Sequence, residues 1–336
     1  MKTFYLLITS LVLLSCSTEK KSSLQVYSGQ ALGTTFQLQF FHPNELELSS
    51  AIDSTFSVLN QSLSTYISNS DISKINSGDT TVTVDQQLVD NFMASKQIYK
   101  ATQGFFDPTV GLMVNAYGFG PETYNLQMNS RTIDSLMTYV GFDKVFLTAE
   151  NKLKKAHLET YLDFNSIAKG YAVDRLAVLL NQFGVQHYLV EVGGELVAKG
   201  KQIENQEVWK IGIDNPEATS VSDRELLQYI VKLENRAMAT SGNYRKFKTD
   251  ADGNKFVHTI NPKTGRSEAS DVLSASVFAE DCMTADAYAT AFMAMGFEKT
   301  MMLLPDLENI EVILIYSKGE EVKTYISEGL NKYVIK

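Results

Sequence analysis

Apolar side chains along this chain recur with two different periods, and the two kinds of segment follow each other in no regular order. At Phe36, Leu38 and Phe40 they alternate with polar side chains, which predicts a strand with one buried face. Over residues 45–63 they recur at helical spacing instead, which predicts an amphipathic helix. Because a doubly wound parallel sheet needs strict alternation of strands and helices, this mixture favours an α+β fold.

The same two patterns predict the other elements of the chain. Helices are predicted over residues 85–102, 130–140 (with Ser130 as its cap), 167–183 and 281–295. Strands are predicted over residues 37–41, 161–164, 188–192, 209–213, 226–233, 255–260, 272–278, 310–316 and 322–326, of which the last two form a hairpin. The strands between residues 209 and 260 are interpreted as one meander, and residues 104–120 as a glycine-rich loop. No repeat or linker divides the chain, so we predict a single large folded body.

The composition excludes several classes of protein. Hydrophobic residues make up 44% and charged residues 21%, which is typical of a globular chain and not of a disordered one. The net charge of −9 argues against a nucleic-acid binder, because such proteins need a basic face to neutralise phosphates. Two cysteines exclude a disulfide-rich scaffold or a four-thiolate metal site, and four scattered histidines leave little for a polyhistidine centre.

The N-terminal segment is typical of a secretion signal. Lys2 is followed by an apolar stretch over residues 4–14, which is too short to span a membrane. The stretch ends in Leu-Leu-Ser-Cys, which resembles the lipobox of bacterial lipoproteins, so Cys16 is the predicted site of lipidation. An ordinary signal peptide that happens to contain a cysteine is the alternative.

This interpretation divides the chain into three parts and predicts where the protein resides. The parts are a lipoprotein signal peptide (residues 1–15), the lipidated cysteine with a tether (residues 16–30) and the folded domain (residues 31–336). We expect a protein of the bacterial cell envelope, anchored by lipid to a membrane on the periplasmic or extracytoplasmic side.

The segment LDFNSIAKGYAVD, residues 162–174, contains the end of a predicted strand and the start of a predicted helix. The first turn of a helix offers unpaired N–H groups and the positive end of the helix dipole, and both suit an anion such as a pyrophosphate. Lys169 lies in that turn, where the dipole disfavours a cation and a bound anion would favour it. The alternative is that Asp163 and Asn165 only cap the helix.

The segment DCMTADAYATA, residues 281–291, places two oxygen-bearing side chains on one helix face. Asp286 and Thr290 are four residues apart, and the alanines between and beside them leave room. A carboxylate and a hydroxyl on one face suit Mg²⁺, which keeps its other coordination positions for water and phosphate oxygens. The alternative is a polar stripe in which the Thr290 hydroxyl bonds back to a helix carbonyl.

Three other motifs are weaker signals when taken one at a time. Phe105 and Phe106 lie beside Asp107 in the glycine-rich loop, where the rings could stack on a flat ligand or simply belong to the core. Residues 190–195, VEVGGE, form a strand with a Gly-Gly corner that lets the backbone approach a ligand closely. His258 stands at the entrance of a turn, and a lone histidine is more often structural than catalytic.

Taken together and in this order, the motifs resemble the ApbE family of FAD:protein FMN transferases. The matching segments are GTT (33–35), STY (64–66), FDPTVG (106–111), GFG (118–120), LDFNSIAKGYAVD (162–174), VEVGGE (190–195), ATSGNYR (239–245), HTINPKTG (258–265) and DCMTADAYATA (281–291). The resemblance extends from about Gly33 to Met295, and it implies an α+β body of the ApbE, T-fold-like, type. The family includes many lipoproteins, which agrees with the prediction for Cys16.

The resemblance implies a Mg²⁺-dependent enzyme that cleaves FAD at its pyrophosphate. FMN is transferred to a Thr or Ser hydroxyl of an acceptor protein, and AMP is released. The implied Mg²⁺ ligands are Asp286, Thr290 and the main-chain carbonyl of Ser166. The implied FAD contacts are Leu32, which replaces the family's usual Met, together with Tyr66, Phe105, Phe106, Asp107, Asp163, Lys169 and Ile260. His258 occupies the position proposed for the catalytic base, and Asp107 is a second candidate.

Two other functions stay open on sequence grounds. In an FAD pyrophosphatase, water would replace the acceptor hydroxyl and the metal ligands would be the same. A flavin-binding lipoprotein without turnover is the third possibility, but mere binding needs no metal at the pyrophosphate, so the Asp286–Thr290 pair argues against it. The implied partners are FAD, an acceptor protein such as a flavin-bearing subunit of a membrane redox pump, and the membrane reached through the lipid anchor, with no nucleic acid.

Overall fold

The computed structural model describes residues 20–122, 124, 126–216, 227–242, 247–249, 255–257, 259–267 and 270–335. Its helices are α1 (Ser49–Leu63), α2 (Asp71–Asn76), α3 (Gln86–Ala101), α4 (Gly111–Ala116), α5 (Ser130–Met137), α6 (Ala168–Gln182), α7 (Cys282–Met295) and α8 (Phe297–Leu303). Its strands are β1 (Ser23–Ala31), β2 (Thr34–His42), β3 (Val145–Leu147), β4 (Leu153–Lys155), β5 (His187–Val192), β6 (Glu195–Lys199), β7 (Lys201–Gln202), β8 (Glu207–Asp214), β9 (Leu227–Leu233), β10 (Arg236–Gly242), β11 (Phe247–Thr249), β12 (Lys255–Val257), β13 (Val272–Ala279), β14 (Glu311–Lys318) and β15 (Glu321–Ile326).

The described residues form one large antiparallel sheet with helices on one side, which confirms the predicted α+β class. The order of its eight strands is β1-β2-β5-β6-β10-β13-β14-β15. Strands β7, β8 and β9 make a small second sheet, and β3–β4 and β11–β12 are separate hairpins. Within the part that the structure describes, no helix has the length and hydropathy that crossing a bilayer requires.

The two faces of the large sheet contact different cores. Phe36, Leu38 and Phe40 of β2 point into the larger core, which also contains the buried faces of α1, α3, α6 and α7. The alternation predicted for this strand is therefore confirmed. On the opposite face, Trp209 and its neighbours on β8 and β9 pack against Phe41 and Phe278. Both faces of the central strands are thus buried, which fixes their register.

Helices α6 and α7 lie against each other, and a glycine and a carboxylate fix their contact. A Cβ atom on Gly170 would lie 2.3 Å from the Cys282 carbonyl oxygen, so only glycine allows this approach. The Asp174 carboxylate on α6 accepts the N–H groups of Cys282 and Met283, at 2.9 and 2.8 Å, and so caps the start of α7. This contact brings the start of α6 beside Asp286.

Several predicted boundaries are wrong, and each error has a local cause. The predicted tether over residues 16–30 is too long, because Ser23–Ala31 forms the edge strand β1, none of whose side chains is fully buried, so its sequence pattern is weak. The strand predicted over residues 161–164 has only one bridge, between Tyr161 and Val110. There the Asn76 side chain takes the place of a neighbouring strand, since it bonds both the N–H and the carbonyl of Leu162 at 2.8 Å.

Other corrections concern how the predicted elements assemble. The meander predicted between residues 209 and 260 is wrong, because β8 and β9 pair with each other whereas β12 pairs with β11. The glycine-rich loop contains the short helix α4. The cap of α5 is the Asn129 side chain, which accepts the Thr132 N–H at 3.0 Å, and not Ser130. The helix predicted from residue 45 begins at Ser49.

Candidate active site

The start of α6 lacks the side-chain cap that α2, α3, α5 and α7 have. Its N-cap residue is Ile167, which has no oxygen on its side chain. Asp163 accepts the Asn165 N–H at 2.8 Å, and the Asn165 amide donates to Thr65, so neither residue caps the helix as the alternative interpretation required. The Gly170 N–H instead donates to Asp286 Oδ2 at 3.0 Å, so the cap comes from α7.

The carbonyl of Ser166 lies just before this helix and takes no part in its hydrogen bonds. Because α6 begins at Ala168 with Ile167 as its N-cap, its first helical bond runs from the Tyr171 N–H to the Ile167 carbonyl, at 3.0 Å, and the Gly170 N–H is one of its unpaired first-turn donors. Here that N–H bonds the Asp286 carboxylate, and none of the described residues donates a hydrogen bond to the Ser166 carbonyl. The carbonyl implied as a metal ligand therefore has no hydrogen bond from the described residues, and it lies four residues before the Gly170 N–H that Asp286 accepts.

The Thr290 hydroxyl also stays open. The alternative interpretation expected the Thr290 hydroxyl to donate to a carbonyl of its own helix. Thr300 on α8 forms such a bond, with its hydroxyl donating to the Gly296 carbonyl at 2.7 Å. Among the described residues, no hydrogen bond of this kind forms at Thr290, which lies half-buried one turn after Asp286. Ser166, Asp286 and Thr290 thus offer a carbonyl, a carboxylate and a hydroxyl, all of them hard oxygen donors of the type that Mg²⁺ prefers.

Three charged side chains, which we call the buried ion cluster, lie beside these oxygens: Lys169, Glu195 and Asp286. The Lys169 ammonium forms an ion pair with Glu195 Oε1 and lies 3.9 Å from Asp286 Oδ1. Both carboxylate side chains are almost completely buried. Burial raises the pKa of the Asp286 carboxyl, although Lys169 acts in the opposite direction. Burial disfavours the Lys169 charge, but Asp286 and Glu195 more than offset this and raise the pKa of the ammonium.

The sequence analysis did not single out Glu195 as a functional residue. Its side chain is 3% exposed, and its Oε2 atom is buried without a hydrogen-bond partner among the described residues. A Cβ on Gly193 would lie 3.3 Å from that oxygen, so the Gly-Gly corner keeps space open beside it. The signal that could have found it is a glutamate directly after that corner, at the start of a strand.

A conventional multi-carboxylate or histidine metal centre is absent from the described part of the chain. There, no group of three or more His, Cys, Asp or Glu side chains lies close enough together to bind a metal ion. The Cys282 thiol is buried, and burial raises its pKa well above the ordinary value, so it stays protonated. A cation here would therefore be held by mixed oxygen donors, with its other coordination positions filled by water or by the phosphates of a ligand.

Leu32 and Tyr66 are each next in sequence to a residue that lines a cavity, although neither lines it. Leu32 and Gly33 form the turn between β1 and β2, and both have positive φ, at 50° and 73°. Their neighbours Ala31 and Ile67 line a cavity of about 400 Å³ between this hairpin and α1. Tyr66 is 64% exposed, and partial burial together with the nearby Asp163 carboxylate raises its pKa. An exposed ring of this kind is available to stack on a planar ligand.

Phe105 and Phe106 differ in the structure, although they are adjacent in sequence. The half-buried ring of Phe105 has the ammonium of Lys299 at 5.1 Å and that of Lys263 at 5.8 Å from its centroid. Phe106 is 1% exposed and belongs to the larger core. The burial of the Phe106 ring argues against its stacking on a ligand, while the half-buried ring of Phe105 is accessible; the predicted FAD contact of Phe106 stays a prediction. Neither lysine was predicted.

Asp107 and Ile260 are also enclosed by protein. Asp107 Oδ1 accepts the N–H and the hydroxyl of Thr109, at 2.8 and 2.6 Å, and Oδ2 accepts the Phe142 N–H at 3.2 Å. Burial raises the pKa of Asp107 to about 6, and these hydrogen bonds act against the rise. Because both oxygens are engaged, the geometry favours a structural role over that of a base. Ile260 is buried in a small cluster with Met113.

Of the remaining predicted residues, Asp163 lies near Asp107, and two others are outside the described part of the chain. Asp163 lies next to the loop that contains Asp107, because the Asp163 N–H donates to the Pro108 carbonyl at 2.8 Å. Burial raises the pKa of Asp163 to about 6. His258 and Cys16 lie outside the described residues. A second cavity of about 480 Å³, lined by tyrosines and leucines, contains none of the predicted FAD contacts in its wall.

Comparisons with known proteins agree on one family. The sequence model of the ApbE family matches residues 32–314. The chain is 30% identical to an FAD:protein FMN transferase of Haemophilus influenzae, over 97% of this chain and 96% of the relative. It is 31% identical to one of Vibrio cholerae, over 100% of both chains.

Solved structures show the same likeness. The flavin transferase ApbE from Vibrio cholerae has a TM-score of 0.83 at 31% identity, over 93% of this chain and 99% of that one. The flavinyl transferase ApbE of Pseudomonas stutzeri, in its apo form, has a TM-score of 0.81 at 28% identity, over 93% of this chain and 97% of that one.

Proposed function

This chain belongs to the ApbE family, and from that premise we propose how it transfers FMN from FAD to a protein. The observation that carries the proposal is the arrangement at the start of α6, where Asp286 accepts the Gly170 N–H, Lys169 lies beside Asp286, and the Ser166 carbonyl has no hydrogen bond from a described residue. This arrangement supports a site for a pyrophosphate and a divalent cation. The transferase class itself rests on the full-length relatives.

We propose that Asp286, Thr290 and the Ser166 carbonyl hold Mg²⁺. The fit rests on three oxygen donors, two of them without a hydrogen bond from any described residue, and on a buried carboxylate that lacks a full counter-charge. When bound, Mg²⁺ would neutralise charge on the pyrophosphate and act as a Lewis acid. The Lys169 ammonium, on the first turn of α6, adds a second positive charge for the phosphates.

In this proposal the acceptor approaches the FMN phosphorus from the side opposite the departing AMP. The exposed ring of Tyr66 and the half-buried ring of Phe105 hold the flavin half, so FMN stays while AMP leaves. The acceptor hydroxyl oxygen forms a bond to the FMN phosphorus, the bond from that phosphorus to the AMP oxygen breaks, and the hydroxyl proton passes to a base. We assign the base to His258, because Asp107 is engaged by three hydrogen bonds.

The test is a reaction of the protein with FAD, Mg²⁺ and a candidate acceptor that bears a Thr or Ser hydroxyl. We expect the acceptor to gain the mass of FMN less water, to keep yellow fluorescence after denaturation, and to form with one equivalent of AMP. Intact-mass spectrometry and chromatography of the nucleotides measure both products. His258→Ala should slow transfer more than it weakens FAD binding.

Two outcomes would contradict this assignment. If the acceptor gains AMP, then the protein transfers the AMP half of FAD and releases FMN, which is the reverse of the proposal. If FMN appears only free in solution with every acceptor tried, then water replaces the hydroxyl and the protein acts as an FAD pyrophosphatase.

We also propose that Cys16 carries a lipid and anchors the mature protein to a membrane of the cell envelope. The support is the short apolar stretch that ends in Leu-Leu-Ser-Cys. Cys16→Ala should move the protein from the membrane fraction to the soluble fraction or block its maturation. Fractionation and the mass of the N-terminal peptide measure this. A wild-type mature protein that begins at another residue and carries no acyl chain would contradict it.

A further inference from the structure

Glu195 is a buried carboxylate whose position the mechanism above does not explain. It begins β6 directly after the Gly-Gly corner and is 3% exposed. Among the described residues its side chain has one partner, the Lys169 ammonium, which contacts Oε1, while Oε2 has none. A buried carboxylate with one oxygen unsatisfied costs folding free energy, so a structural role alone gives little reason for a glutamate here.

Lys169 has two carboxylates within reach and contacts only one of them closely. Its Nζ atom is paired with Glu195 but stays 3.9 Å from Asp286 Oδ1. Charge-assisted N–H···O bonds are about 2.7–2.9 Å long. The Asp286 oxygen therefore lies about 1 Å beyond a close contact with the ammonium, and it has no other hydrogen bond from the described residues.

Without Glu195, the same ammonium would have a single anion beside it. The Lys169 side chain is 31% exposed, and a partly buried ammonium pairs with the nearest available anion, because leaving its charge unpaired costs free energy where it is partly removed from water. Lys169 would then close on Asp286 Oδ1, while Gly170 already holds Oδ2 at 3.0 Å. Both oxygens of the carboxylate proposed to bind the cation would be engaged by protein donors.

We infer that Glu195 is a positioning residue: it holds the Lys169 ammonium beside Asp286 and not on it, and so keeps that carboxylate available to a divalent cation. The inference rests on the proposed metal site. The ion pair between Glu195 and Lys169 uses only the Oε1 atom of Glu195, since Oε2 faces the space that Gly193 leaves open. Shortening the side chain by one methylene should therefore break the pair with Lys169 while the charge stays in the cluster.

The test measures binding of Mn²⁺, a paramagnetic substitute for Mg²⁺, to the full chain without FAD, by electron paramagnetic resonance and calorimetry. Glu195→Asp keeps the charge and should weaken Mn²⁺ binding by roughly 10- to 100-fold, which is usual for residues that orient metal ligands. The double variant Glu195→Asp with Lys169→Met should restore at least wild-type affinity, because no ammonium then competes for Asp286. Glu195→Gln, alone and with Lys169→Met, repeats the comparison with a side chain of unchanged size in case the aspartate variant does not fold.

The outcomes separate this inference from the metal site on which it rests. If the wild type does not bind Mn²⁺, or if Asp286→Asn binds it equally well, then the proposed metal site and this inference both fail. If those controls behave as expected but Glu195→Asp binds like the wild type, then only this inference fails. If the double variant stays as weak as Glu195→Asp, then Glu195 contacts the cation itself and does not act through Lys169.

Discussion

Asp286→Asn is expected to lower Mg²⁺-dependent transfer of FMN on the order of 10³-fold and to leave the fold intact. Asparagine has the same shape, and its amide oxygen still accepts the Gly170 N–H that Asp286 Oδ2 accepts at 3.0 Å. What it removes is the charge, which a hard cation requires of this ligand. Rates at limiting and at saturating Mg²⁺, together with a thermal melt, measure the two effects separately.

The matched comparisons come from the same helices. Asp286→Ala removes the cap of α6 as well and should cost about 1 kcal/mol of stability, which is usual for a lost cap. Thr290→Ala should reduce transfer less, because water can replace a hydroxyl ligand. Asp174→Asn changes a second, half-buried carboxylate that accepts N–H groups at the start of a helix, and it should not alter the Mg²⁺ requirement. An Asp286→Asn protein that stays near wild-type activity at limiting Mg²⁺ would remove the metal assignment.

The parts of the fold that could be predicted are those in which one face of a segment is buried. Helices α3, α6 and α7 carry apolar residues at helical spacing and were predicted with small errors at their ends. The edge strand β1 was missed, because most of its side chains face solvent or are only partly covered. Strand β10 was missed although it is central, since small residues such as Ala237, Ala239 and Gly242 fill it and no alternation shows.

The candidate site could be predicted only as separate pieces. Sequence spacing put Asp286 and Thr290 on one face and Lys169 in the first turn of a helix, but it gave no distance between the two helices. The glycine in that first turn was the available signal, since a glycine inside a helix often marks a close approach. The role of Asp107 could not be predicted from the sequence. A polar residue beside aromatic ones gives the same sequence pattern whether it contacts a ligand or accepts hydrogen bonds from backbone N–H groups.

Gly170→Ala is expected to destabilise the protein by about 2 kcal/mol, the opposite of what helix propensity alone predicts. Alanine is favoured over glycine inside a helix by about 1 kcal/mol. The new Cβ, however, would lie 2.3 Å from the Cys282 carbonyl oxygen and 2.9 Å from Asp286 Cβ. Because backbone cannot turn aside as a flexible side chain does, α6 and α7 must separate, and overpacking of this kind costs about 1–3 kcal/mol. Urea denaturation measures the change in the free energy of unfolding.

Gly184→Ala is the control at the other end of the same helix. Gly184 has a φ of +75° and no atom within 4 Å of an added Cβ, so the substitution introduces backbone strain of about 1 kcal/mol without a clash. It should not affect the metal requirement. Gly170→Ala should raise the Mg²⁺ concentration for half-maximal transfer, because the Gly170 N–H and Asp286 move apart together with their helices. A Gly170→Ala protein as stable as the wild type would mean that the spacing of α6 and α7 does not depend on this glycine.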